Sequence, residues 1–391
     1  MAANSLTFNQ IATILNSVVQ QATGKAVITP TNTNEFVTVA QTALLSGYDN
    51  LMGAISQVLS RTIISSRAYG RKFRGLEADN IRWGNHVRKI NYVDRDWQDS
   101  GRLPITNGVA VDDQKPILDN VLQTNFYGQN DYEIQWTLYA NQLDVAFSDP
   151  DEFGRFISGK LQNISDMTEQ KHESMARMII ANLIAGIISI GNTNQVVHLL
   201  SEYNTATGLN LTATTVYQPA NFPAFIKWAY ARIAAVSSML TERTTIFHQN
   251  VTNKVISRHT PEAYQRVYLY APTRYQVDAR VLADTFHDTY LDRAYTETVN
   301  FWQSVSTPDT INVKPVYMKA DGTLETNATV VDQDSVFGVI MDTEAAGYTI
   351  CNQRTTSAPF NGEGEYQNFW FKFTDRYWND FTENAVVLLL D

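Results

Sequence analysis

One cysteine, Cys351, is present in 391 residues, so no disulfide can close within the chain and no cysteine-based metal site can be built. The protein is expected to mature in a reducing compartment or to be indifferent to redox. Positive charge is in deficit: 30 Lys and Arg stand against 40 Asp and Glu, a formal net charge of −10. That balance argues against a general nucleic-acid binder, because affinity for phosphate rests on cations that neutralise it. Long hydrophobic runs are missing too. The longest, 179–190, is too short to cross a bilayer and contains Asn182, and the opening Met1-Ala2-Ala3-Asn4-Ser5 lacks the basic and apolar stretches of a secretory signal. No membrane is expected as a partner.

Catalytic and ligand-holding patterns are equally scarce. The six histidines (86, 172, 198, 248, 259, 287) have no ligand spacing, and His172-Glu173 lacks the second histidine that a zinc-protease helix needs. Gly362-Glu363-Gly364-Glu365 precedes a strand pattern and reads as a turn, since phosphate cradles need the N–H groups of a helix start. No G-x-S-x-G elbow and no lysine after a glycine run are present, and Cys351 has no base beside it. The expectation is a non-enzyme with no catalytic, cofactor-binding or metal residues and no cofactor. A hydrolase using Asp112, Asp113 and Glu173 is the alternative from another class.

What the chain does have is helical patterning of unusual length. In 148–191, Ser148-Asp149-Pro150-Asp151-Glu152 offers a capping oxygen, a proline suited to the first helical position and two carboxylates for the positive end of the helix dipole. Apolar residues then recur every three or four positions from Phe153 through Leu161, Ile164, Met167, Met175, Met178, Leu183 and Ile187, until Gly191 stops the run. Unbroken, this helix spans roughly 60 Å. The three methionines read as packing, and Arg155, Lys160, Gln162 and Glu169 as its polar face.

Upstream, 8–22 and 35–59 carry amphipathic helical stripes joined by the polar linker 29–34, two helices that look like an arm docking elsewhere. Between Arg61 and Arg95 nine basic residues face only Glu77, Asp79 and Asp94; a solvated or subunit-facing strip is the main reading, a nucleic-acid patch the lesser one. Residues 85–145 read as a two-stranded excursion that returns through Asp131-Tyr132-Glu133-Ile134-Gln135-Trp136, with a compact three-stranded domain as the alternative. Residues 192–219 read as loops, 221–239 as a helix, and 268–272 as a strand before a helical pattern at 275–286. Strands near 312–316, 335–341 and 348–350 should complete a sheet, and the apolar ending 385–390 should enter a sheet near the core.

This order of elements resembles the major capsid proteins of tailed bacteriophages, with their Hong-Kong-97-like fold, nearest to those of small short-tailed phages. The residues carrying it are Ser148-Asp149-Pro150-Asp151-Glu152, the strand Tyr268-Leu269-Tyr270-Ala271-Pro272 leading into Tyr275, and the ending from Tyr377 to Leu390. The resemblance implies an α+β fold: an N-terminal arm (1–60), a basic connecting strip (61–84), an extended loop reaching over a neighbour (85–147), a spine helix of a peripheral domain (148–191), an axial domain (192–350) and returning peripheral strands (351–391). It implies pentamers and hexamers closing into an icosahedral shell around double-stranded DNA, in virions assembled in the host bacterial cytoplasm. Partners would be many copies of itself, a separate scaffolding protein, a portal, and DNA contacted weakly and without sequence specificity. A nanocompartment shell of the encapsulin kind is the related alternative. Candidate inter-subunit contacts are Arg71, Lys72, Arg74, Arg88, Lys89, Trp97, Arg102 and Leu103. Some relatives crosslink through a lysine in the extended loop, where Lys89 and Lys115 stand here.

Overall fold

In a computed structural model, the structure describes residues 8–23, 30–44, 54, 71–78, 86–95, 118–147, 150–271 and 295–391. The helices are α1 (Phe8–Thr23), α2 (Thr33–Leu44), α3 (Ala140–Ala146), α4 (Pro150–Ile190), α5 (Leu199–Thr207) and α6 (Phe222–Thr241). The strands in the first half are β1 (Val87–Tyr92), β2 (Val121–Phe126), β3 (Gln129–Tyr139) and β4 (Val196–His198). Then come β5 (Gln265–Tyr270), β6 (Tyr295–Val299), β7 (Ile311–Val313), β8 (Tyr317–Met318), β9 (Leu324–Glu325) and β10 (Val331–Gln333). β11 (Val336–Asp342), β12 (Ala346–Ser357), β13 (Tyr366–Asn379) and β14 (Ala385–Leu389) finish the chain.

The long helix is present as α4, 41 residues. It stops at Gly191, which sits at a φ of 73° and whose N–H donates a hydrogen bond to the Ile187 carbonyl and closes the last turn. α4 serves two cores in succession. Phe153 and Ile164 join α1, α2, α3, β3 and β13, while Met175 to Ile187 join the interior of a five-stranded sheet. Although Gln162–Ile190 has the length and apolarity of a membrane span (mean hydropathy 1.5), its apolar face is taken up in these cores. Met175 is buried as expected, but Met167 and Met178 are exposed, at 44 % and 49 %.

The five-stranded sheet has the order β4-β14-β11-β5-β6, with β14 antiparallel to β11 and parallel to β4. Ala385, Val387 and Leu389 face α4, while Val386, Leu388 and Leu390 face α5 and α6. Being covered on both sides explains why this strand is an unbroken apolar run rather than an alternating one. The terminal strand completes the sheet built from β5 and β11, while β13 lies in the other sheet. Gly186 lets α4 approach this region closely, since a Cβ there would lie 2.4 Å from the Phe381 ring.

The second sheet has the order β12-β13-β3. Here one face is buried: Leu138, Phe369, Phe371 and Phe373 pack on α1, α3 and α4, and β13 alternates accordingly over most of its length. The segment 131–136 thus belongs to this sheet, paired with β13, and the returning strand of the excursion is β2, paired antiparallel with β1. Both segments alternate with period two, so only the partner distinguishes them.

Other expectations shift as well. α1 and α2 do not dock away from the chain: Ile11, Leu15, Val18, Phe36 and Ala40 are buried against α4 and the second sheet. α2 is described to Leu44; its expected continuation to 59 lies outside the described residues apart from Ala54, which is helical and buried in the same core. Residues 192–219 hold β4 and α5, with Leu199, Leu200 and Tyr203 buried, because a short apolar stretch inside a polar segment suffices to enter a core. β7 pairs with β10 and β12 with β13, so of the later strands β11 and β14 join β5. The 275–286 pattern lies outside the described residues.

Candidate functional site

Two charge networks, each with a buried centre, hold the segment before the β1–β2 hairpin and the hairpin itself. The first is centred on Arg71, in the segment that runs into a short 3-10 turn at Arg74–Leu76. Its guanidinium donates to Glu169 at 2.7 Å and pairs with Glu77. A third contact, 3.3 Å to His172 Nδ1, settles the ring's roles, since guanidinium nitrogens only donate: Nδ1 accepts and Nε2 is the donor. His172 Nε2 lies 2.9 Å from the Tyr132 hydroxyl and 3.2 Å from Asp375 Oδ2, and Tyr132 donates to the same oxygen at 2.7 Å. Burial, reinforced by Asp375, pushes the Tyr132 hydroxyl pKa far above its ordinary value. One polar chain thus ties the strip before the hairpin, α4, β3 and β13 at the level where α4 passes from one core to the other.

The second network holds β1 itself. Lys89 Nζ lies 2.9 Å from Glu344, 3.1 Å from Asp380 and in contact with Glu383; Arg258 meets Glu383 at 3.0 Å and Asn91 at 3.2 Å. Burial acts to lower the Lys89 pKa, but Asp380 and Glu383 outweigh it and raise it above that of an ordinary lysine. Burial lifts the Glu383 carboxyl from 4.5 to about 7 against the opposing pull of Lys89 and Arg258. Inward-facing Leu122 and Thr124 of β2 complete the seat. At the far end of the described hairpin, Asp94 accepts from the Ser257 amide at 2.6 Å and pairs with Arg243, and Lys254 donates to the Val121 carbonyl.

Each face of the hairpin mixes polar and apolar residues: Leu122 and Thr124 are buried on the inner face, and Arg88, Gln123 and Asn125 are exposed on the outer one. Lys89 and Asn91 point inward, whereas Ile90, Tyr92 and Val121 are exposed, Tyr92 at 69 %. A groove of about 1110 Å³ runs beside it, between α4 and the β7–β10 and β8–β9 ribbons, lined by Tyr127, Arg177, Met178, Phe301, Val316 and Leu324 among others.

Of the eight candidate contacts, Arg71 and Lys89 are turned to carboxylates of their own chain, while Lys72, Arg74 and Arg88 are exposed. Trp97, Arg102 and Leu103 lie outside the described residues, as do Asp112, Asp113 and Lys115. Glu173 is held by Arg177 at 2.7 Å and accepts from the Lys72 amide, a structural setting. Sequence reasoning missed Asp375, Asp380, Glu383 and Arg258. The signal available was the density of acid and amide residues from Asp375 to Asn384, at the end of one strand pattern and in the turn before the next. Among the described residues no group of three His, Cys, Asp or Glu could hold a metal ion.

Comparison with known proteins adds the following. A family model described as Phi29-like phage major capsid protein matches residues 11–389. Among solved structures, the capsid structure of Staphylococcus phage Andhra is similar at TM-score 0.51 and 11 % identity, covering 83 % of this chain and 86 % of that one. A chain in the structure of head fiber and inner core protein gp22 of native bacteriophage P68 is similar at TM-score 0.50 and 10 % identity, with the same two coverages, 83 % and 86 %. No curated protein matches the chain significantly. At such identities the structural likenesses speak for a shared fold.

Proposed function

Because the chain belongs to the Phi29-like phage major capsid protein family, we propose that its copies gather into pentamers and hexamers that close into an icosahedral head around double-stranded DNA. The protein is a phage major capsid protein with the capsid fold, a structural component of the virion shell built from many copies. The nanocompartment and hydrolase alternatives are not favoured.

The observation that carries the finer reading is the β1–β2 hairpin. Its inner face is fastened to the body through Lys89 and Asn91, while Ile90, Tyr92 and Val121 on the outer face are left exposed, an arrangement that suits a projection meeting another molecule. Assembly in the host bacterial cytoplasm with a separate scaffolding protein and a portal completes the proposal. The net charge of −10 fits an inner wall that does not hold packaged DNA tightly. Exposed Lys72, Arg74 and Arg88 are proposed as contacts between copies; single exposed ion pairs contribute only ~0.2–1 kcal/mol, so apolar burial should dominate. Negative-stain imaging of the purified chain, alone and with its scaffold, tests this. Closed particles of uniform size are expected; a strictly monomeric species at high concentration under assembly conditions overturns it.

A further inference from the structure

The turn between β12 and β13 contains one of the chain's two Asn-Gly pairs, Asn361-Gly362; the other is Asn107-Gly108. Backbone pairing of Asn361 with Tyr366 closes the turn, each amide donating to the other's carbonyl, at 2.9 and 3.3 Å. The Asn361 side chain is held inside it. Its Oδ1 accepts from the backbone N–H groups of Glu363 at 3.1 Å and Gly364 at 3.0 Å, which settles the end of the amide that carries oxygen. Nδ2 is thereby turned to the Tyr366 hydroxyl, 3.3 Å away. Tyr139 packs against the Tyr366 ring, centroids 5.9 Å apart, and Gly364 lies so near that a Cβ there would come within 2.4 Å of it.

Gly362 brings the third group. Among the described residues its N–H has no acceptor, no side chain shields the nitrogen, and a Cβ placed there would meet nothing within 4 Å. Residues 361–365 are all exposed, so water reaches the whole turn. An amide carbonyl polarised by two N–H groups, a phenol beside its nitrogen and an unhindered backbone nitrogen next in the chain are the parts needed for cyclisation.

We propose that Asn361 is a site of self-catalysed deamidation. The Gly362 nitrogen loses its proton to solvent hydroxide and attacks Asn361 Cγ; a succinimide closes as the Cγ–Nδ2 bond breaks. Glu363 and Gly364 N–H groups hold the charge that gathers on Oδ1 in the tetrahedral intermediate. The Tyr366 hydroxyl gives its proton to Nδ2, which leaves as ammonia, and recovers one from water. Water then opens the ring to aspartate or isoaspartate. Either product adds a carboxylate beside Glu363 and Glu365, and isoaspartate also inserts a methylene into the backbone that pairs with Tyr366, where the ladder of β13 to β3 begins. One copy suffices, with or without a shell.

Peptide mapping by mass spectrometry tests this on the full-length chain incubated in mildly alkaline buffer, with a parallel sample unfolded in guanidinium chloride. Asn107, in the same dipeptide, calibrates the unfolded rate. Asn361 should convert in the folded chain at least as fast as in the unfolded one, and up to about tenfold faster. Gly362→Ala, for which the turn has room, should melt within about 2 °C of the wild type and convert roughly tenfold more slowly. Tyr366→Phe keeps the ring and removes the acid; it should slow conversion about threefold or more in the fold and leave the unfolded rate unchanged. Conversion slower in the fold than in denaturant overturns the proposal, as does an unaltered folded rate in Tyr366→Phe. Should that variant fail to fold, the comparison with the unfolded wild type decides.

Discussion

The two main sheets of this protein are held in opposite ways. The five-stranded sheet is apolar on both faces: β14 sends alternate residues into two different cores, and β11 is buried along its whole length. The three-stranded sheet is apolar on one face, and around its far end and the neighbouring hairpin the ties are polar, through the hydrogen-bonded chain Arg71–His172–Asp375 and the ion pair Lys89–Glu383. The first arrangement is stable but non-directional; the second fixes orientation, because charged partners out of water tolerate little displacement. A shell subunit needs both, a body that persists and a projection aimed at one angle.

The harshest test of the difference is Val387→Asp. Its carboxylate would sit between α4 and the sheet with no partner, and we expect loss of more than about 4 kcal/mol, read as failure to fold or a collapse of the denaturant midpoint. Lys372→Ala on the exposed side of β13, where the lysine is only 3.7 Å from Glu133, should cost less than about 0.5 kcal/mol in the same assay. Equal effects would erase the contrast between two-faced and one-faced sheets.

Next in size is Lys89→Met. Removing the cation leaves Asp380 and Glu383 buried without it, so a loss of about 3 kcal/mol is expected, together with faster hydrogen exchange in β1 and β2. Unchanged exchange at the hairpin would show that apolar contacts hold it and that the ionic ties are incidental.

The smallest effect is a slope. Glu383 is raised to about 7 in the fold from 4.5, so the folded state binds the proton more tightly than the unfolded chain. Its contribution is present below pH 4.5 and is lost as pH rises through about 7; stability should fall over that window by at most about 3 kcal/mol. Melting curves of wild type and Glu383→Gln from pH 5 to about 8 check the sign, with the variant showing the flatter profile. A steeper decline in the variant would contradict the assignment.

Much of this fold could be read from residues whose signals are local. The start and stop of α4 rest on Pro150 and Gly191, and its two cores follow from apolar spacing; α1 and α6 were legible on the same grounds. Partner choice was not legible. β2 and β3 alternate alike, and only the register with β13 across more than two hundred residues assigns 131–136 to the second sheet. The basic strip shows the same limit. Nothing near Arg71 or Lys89 reveals that one meets Glu169 and the other Glu383, 98 and 294 residues away, so both read as surface cations. Arg88, Lys72 and Arg74 are exposed, as solvent is the default for a charge.

β13 and β14 have a consequence for biosynthesis. Each completes a different sheet, and the turn between them carries Asp380 and Glu383, which clamp the hairpin. As the ribosome delivers the chain, α4 emerges long before β13 and β14, so both of its cores wait for contacts of very large sequence separation to be completed. A chain interrupted before residue 366 would lack both completed sheets and the clamp. Folding order then acts as proofreading, for only chains made through Leu389 present a surface on which a neighbour can build.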